Sequence, residues 1–166
     1  MPVKKWSEMT PSEKRVTLAK DVISQLKKNK LNACSGTYLM IINLDNVEDN
    51  EQLNKVLKKQ GTCEVCAKGA LFISHIMRNN HFTVGDYYSC RKNDNEKIKE
   101  RLDSLFSLSQ LELIEKAFEG ESHDNELKDS TLIDLANEFH YYYEDDEERL
   151  IAIMNNIIEN KGTFKL

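Results

Sequence analysis

Apolar residues recur at helical spacing along most of the chain. The broadest stripe is Val65, Cys66, Gly69, Ala70, Phe72, Ile73, Ile76 and Met77. Two adjacent apolar columns make it too wide for a lightly docked helix, so 62–79 is expected to be the helix that the others pack around. Thr62 is its expected cap, and Glu64, Lys68, His75 and Arg78 fall on its other side. Cys66, Ala67, Gly69 and Ala70 are small enough to let a neighbouring helix approach closely.

The same pattern predicts further helices. Thr10-Pro11-Ser12-Glu13 is a capping box with proline at the first helical position; Val16, Ala19, Val22, Ile23 and Leu26 continue one face to about Asn29. A short helix through Leu53, Val56 and Leu57 ends at Gly61. Asn93–Glu96 and Ser109–Glu112 read as two more capping boxes, the second opening a helix that Gly120 ends. Asp129 or Ser130 starts a helix through Leu132, Leu135, Ala136 and Phe139. Leu150, Ile153, Met154, Ile157 and Ile158 make the last one.

Only Thr37–Leu44 is β-branched and aromatic enough to be a strand. Ser35-Gly36-Thr37-Tyr38 is matched by Lys161-Gly162-Thr163-Phe164, which predicts a two-stranded ribbon of about 37–42 with 163–166. The expected fold is mainly α: one helical domain over 1–166, bundled around 62–79, with a minor ribbon.

At 166 residues, with 40% apolar and 31% charged residues, the chain has an ordinary globular composition. Four cysteines do not suggest a disulfide scaffold. The opening MPVKKWSEM lacks an apolar secretory core, and no apolar run approaches a membrane span. These features predict a cytoplasmic protein with reduced thiols and no membrane contact.

The net charge of −5 is uneven. Residues 1–30 carry eight Lys/Arg against three Asp/Glu, with Lys20, Lys27, Lys28 and Lys30 on a basic face. Residues 112–148 carry fourteen Asp/Glu against two lysines. Such acidity argues against nonspecific nucleic-acid binding, which requires neutralised phosphates. Solvated helix faces are its ordinary explanation.

Three stretches carry candidate chemistry. Tyr141, Tyr142 and Tyr143 run into Glu144, Asp145, Asp146, Glu147 and Glu148. Adjacent tyrosines point in different directions on a helix, and exposed tyrosine beside acid is an interface composition. The carboxylates also suit a helix N-terminus, whose dipole favours negative charge. Cys63-x-x-Cys66 has three readings: buried small residues, a redox pair at a helix start, or zinc ligands with Cys90 and a fourth from His81 or Cys34. A single CxxC fixes none of them, and no cofactor is otherwise implied. Residues 79–92, with His81, Asp86 and Arg91, read as an irregular loop able to form a small-molecule, nucleotide-like or catalytic pocket.

Cys63-Glu64-Val65-Cys66-Ala67-Lys68-Gly69-Ala70-Leu71 resembles a family of small uncharacterised phage and bacterial proteins with a C-x-V-C-A-x-G-A-L stretch. LAKDVISQL, QLELIEKAFEG and ERLIAIMNNIIENKGTF add to the likeness. The resemblance implies an accessory protein of a mobile element and transfers no site residue. The leading expectation is therefore a non-enzymatic protein that binds a host protein through the acidic, tyrosine-bearing surface. Homo-oligomerisation is compatible with it.

Overall fold

The structure, a computed structural model, describes residues 2–78, 82–92, 101–120 and 127–166, the side chains of 91 and 92 excepted. It is mainly α with a small three-stranded sheet. Helices α1 (Pro11–Lys27), α2 (Leu53–Lys59), α3 (Ala67–Arg78), α4 (Val84–Lys92), α5 (Leu108–Glu119), α6 (Ser130–Tyr142) and α7 (Asp146–Glu159) accompany strands β1 (Leu31–Ala33), β2 (Leu39–Ile42) and β3 (Thr62–Val65). Among the described residues no helix is long and apolar enough to cross a membrane.

Local signals explain several boundaries. The Thr10 hydroxyl accepts from Glu13 N–H at 3.2 Å, and the Glu13 carboxylate accepts from Thr10 N–H at 2.8 Å. This reciprocal cap starts α1 where the sequence places it. Asp129 caps α6 by accepting from Thr131 and Leu132. Gly120 ends α5 in the left-handed region at φ 76°. The start of α5 differs from expectation: Ser107, not Ser109, accepts from Gln110 N–H, at 3.2 Å. The box expected at 93–96 lies outside the described residues.

The central stretch is part strand and part helix. Residues 62–65 form β3, the middle strand of order β1-β3-β2; β1 runs parallel to it and β2 antiparallel. Cys63 and Val65 face inward while Thr62 and Glu64 are half-exposed, a period of two. Val65 and Cys66 fit both that period and the helical one, which hid the strand. The helix begins at Ala67, where the Cys66 sulfur accepts from Gly69 N–H at 3.4 Å.

As expected, α3 is central, and its burial is wider than expected. Ser74 and His75 are buried along with the apolar stripe. At Gly69 the small residue admits a backbone carbonyl. A methyl group on Gly69 would overlap the Tyr38 oxygen, which also receives the Cys66 N–H at 3.4 Å.

The expected ribbon between 37–42 and 163–166 does not form. Strand β2 pairs with β3 in the register Leu39–Val65 to Ile42–Thr62. On the free edge of β2, Ile41 N–H donates to the Tyr87 hydroxyl at 2.9 Å. Residues 163–166 take side-chain amides as partners: Phe164 N–H and C=O bond Gln110, and Lys165 N–H and C=O bond Asn156. Gly36 and Gly162 both have positive φ, 78° and 93°, so the two segments share a local turn and differ in partner.

Candidate functional site

The tyrosine and acid residues form the junction between α6 and α7. Tyr141 and Tyr142 are 76% and 79% exposed. Tyr143 is half-buried, its ring 5.0 Å from Phe139 and 4.8 Å from Tyr142. Asp145 caps α7 by accepting from Glu148 N–H at 2.9 Å. Asp146 accepts from Ser35 N–H at 2.8 Å and from the Ser35 hydroxyl at 3.0 Å. Burial pushes the Asp146 carboxyl up, but these bonds and Arg149 outweigh it and hold its pKa below the ordinary value. Glu144, Glu147 and Glu148 are exposed.

The eight candidate residues therefore split by role. Tyr143, Asp145 and Asp146 hold the junction together. Tyr141, Tyr142, Glu144, Glu147 and Glu148 present it to solvent.

Beneath them lies Arg149, which is buried. Its guanidinium donates to Tyr143 O at 2.9 Å, Phe118 O at 3.1 Å, Glu144 O at 3.2 Å and His140 O at 3.3 Å, and to the Asp146 carboxylate at 2.8 Å. Three of these carbonyls belong to the ends of α5 and α6, where unpaired carbonyls and the helix dipole favour a cation. His140 Nδ1 donates to the same Phe118 carbonyl at 2.9 Å, so that nitrogen carries the proton. Beside Ser35 in the chain, Gly36 N–H donates to the Glu119 carboxylate at 2.7 Å. The junction is thus bonded to α5, α6 and the turn after β1. Sequence reading missed Arg149. Its signal is a basic residue three places after Asp146, next to the inward-facing Leu150.

The cysteine stretch has a different character. Cys63, Cys66 and Cys90 are all buried, while His81 lies outside the described residues. Cys63 sits in β3, so the pair does not share a helix turn as expected. Burial pushes both the Cys63 and Cys66 thiols up to about 12, with Lys30 pulling Cys63 and the Gly69 N–H pulling Cys66 slightly back. Both are protonated thiols at neutral pH. Cys34 is half-exposed, its sulfur 3.5 Å from the Thr37 hydroxyl. Among the described residues, no group of three or more His, Cys, Asp and Glu stands together as a metal site.

The expected 79–92 loop is largely helix α4. Thr83 N–H donates to the Asp86 carboxylate at 3.0 Å, and Asp86 N–H to the Thr83 hydroxyl at 3.1 Å. This is a second reciprocal cap, with Asp86 at the third helical position. Val84, Tyr87 and Cys90 face the core. Asp86 therefore starts a helix; His81 and the Arg91 side chain lie outside the described residues.

Comparison with known protein families, with curated proteins and with solved structures finds no match.

Proposed function

We propose that the protein is a non-enzymatic cytoplasmic accessory protein, of the phage or mobile-element kind, that binds a host protein through the α6–α7 junction. The observation that carries this reading is the pair Tyr141 and Tyr142, 76% and 79% exposed on a junction braced by Arg149. Large aromatic side chains left in water have a cost that a partner surface removes, and tyrosine is enriched at interface hot spots. Glu144, Glu147 and Glu148, exposed on the same junction, add negative charge, which selects a basic partner and speeds encounter with it. The brace limits the ordering cost of binding, since the junction is already held in place. The likeness of residues 63–71 to phage and bacterial sequences supplies the class of protein and nothing about the site.

The test compares the wild-type chain with a variant combining Tyr141→Ala, Tyr142→Ala, Glu144→Gln, Glu147→Gln and Glu148→Gln. All five side chains are exposed, so the variant should melt within a few degrees of wild type. Both are immobilised and exposed to bacterial lysate, and any retained protein is purified and titrated against each. One partner near equal stoichiometry, bound by wild type at least tenfold more tightly than by the variant and more weakly at high salt, supports the reading. Equal binding by the two chains, or no partner of wild type, overturns it.

A further inference from the structure

The sheet and two helix ends enclose a cleft that the function above does not use. It has a volume of about 270 Å³ and lies where α1 and α2 finish. Its apolar lining comes from Leu31, Leu57, Ile73 and Met77, and the buried Cys63 thiol contributes to it. Lys28, Lys30 and Lys58 join Gln25 and Gly61 in the rest of the lining, which holds no carboxylate among the described residues. Lysines at helix C-termini are ordinary, because the dipole favours them there. Here, however, two helices and the start of β1 bring three of them to one apolar cleft. None of the three is ion-paired to a described residue. The cleft is also braced: Lys30 C=O accepts from Cys63 N–H at 3.0 Å, and Lys30 N–H donates to Gln25 C=O at 3.0 Å.

We propose that this cleft binds a free medium-chain fatty carboxylate. The lysine charge complements a carboxylate head, and the apolar lining takes a chain. Ligand pockets for drug-sized molecules begin at about 300 Å³, so the site sets a small ligand. A chain of the length of octanoate, with its head among the lysines, suits a cleft of this size. Cys63 takes no covalent part; its thiol is protonated and packs as an apolar group.

Sodium octanoate is the probe, titrated against the full chain by methyl-resolved NMR and calorimetry. The expected result is one saturable site per chain, with shifts at the Leu31, Leu57, Ile73 and Met77 methyls. A triple variant, Lys28→Gln, Lys30→Gln and Lys58→Gln, weakens binding at least tenfold, and octan-1-ol binds at least tenfold more weakly than octanoate. Acetate, with a head and no chain, produces no saturable shift. Met77→Trp, which fills the cleft, abolishes binding with the lysines intact. Because Lys28 and Lys58 are exposed and Lys30 is only half-buried, the triple variant should fold and keeps the test decisive if Met77→Trp does not. Absence of a saturable site, shifts confined to other methyls, or equal affinity for octanol and octanoate overturns the proposal.

Discussion

His75 occupies a position on α3 that a charged ring could not easily share. Its side chain is buried, with the Trp6 ring centroid 5.7 Å away. Lys14 and Arg78 in turn lie 5.4 and 5.7 Å from that indole. Burial first, then the cations Arg101 and Lys14, push the His75 pKa from 6.5 down to about 4. The folded protein therefore holds this ring neutral where the unfolded chain would protonate it. Its contribution to stability is fully present above pH 6.5 and is lost as pH falls from there to about 4. Urea midpoints between pH 7.5 and 4.5 should fall more steeply for wild type than for His75→Gln. The ring resonances should stay those of neutral imidazole down to about pH 4. A ring that titrates near 6.5 would refute this account of the site.

At the scale of elements, the ends of α5 and α6 and the start of α7 meet on one side chain. Arg149 satisfies four carbonyls and one carboxylate. Removing it takes the guanidinium donors from all four carbonyls, leaves Phe118 O with His140 alone, and leaves Asp146 with Ser35 but without its cation. Arg149→Met should lose about 3 kcal/mol or more in urea unfolding, in the range for breaking a buried ionic contact. Arg149→Lys should recover only part of it, since one ammonium cannot reproduce a planar fork of donors. A lysine variant as stable as wild type would show that charge alone holds the junction. Little of this was legible in the sequence, because backbone carbonyls have no residue signature and the acid run had a sufficient explanation in the α7 dipole. Caps were legible where one residue pair could make them, as Thr10 and Glu13 do. They were ambiguous at α5, where Ser107 and Ser109 both qualify and only the bond to Gln110 N–H decides. The body of α3 followed from its stripe. Strand β3 did not, since its neighbours β1 and β2 supply the pairing that selects extended backbone. The tyrosine and acid stretch was found from composition, but its division into bracing and exposed residues depends on Ser35, distant in sequence.

For the molecule as a whole, residues 161–165 are where four helices are joined. From α1, the Ser12 hydroxyl donates to Lys161 O at 2.7 Å and Arg15 Nε to Gly162 O at 2.6 Å. From α5, Gln110 bonds both backbone groups of Phe164, as a neighbouring strand would. From α7, Asn156 does the same for Lys165. The Phe164 ring is buried and meets Phe139 of α6 edge-on at 5.7 Å. Gly162 has φ 93°, and a Cβ there would come within 2.7 Å of Ser12 O, so glycine is required for α1 to close on this segment. The first helix is thus tied to the last three through five residues that form no strand. Phe164→Ala should cost about 3–5 kcal/mol, the range for emptying a buried aromatic site. Gln110→Ala should cost less, about 1–3 kcal/mol, because Phe164 N–H and C=O lose their partner while the ring stays packed. Urea unfolding followed by tryptophan fluorescence, which reports Trp6 before α1, and by circular dichroism should shift together in both variants. If the fluorescence transition kept its wild-type midpoint while the helical signal moved, the segment would stabilise α5 to α7 alone and the closure through α1 would be wrong.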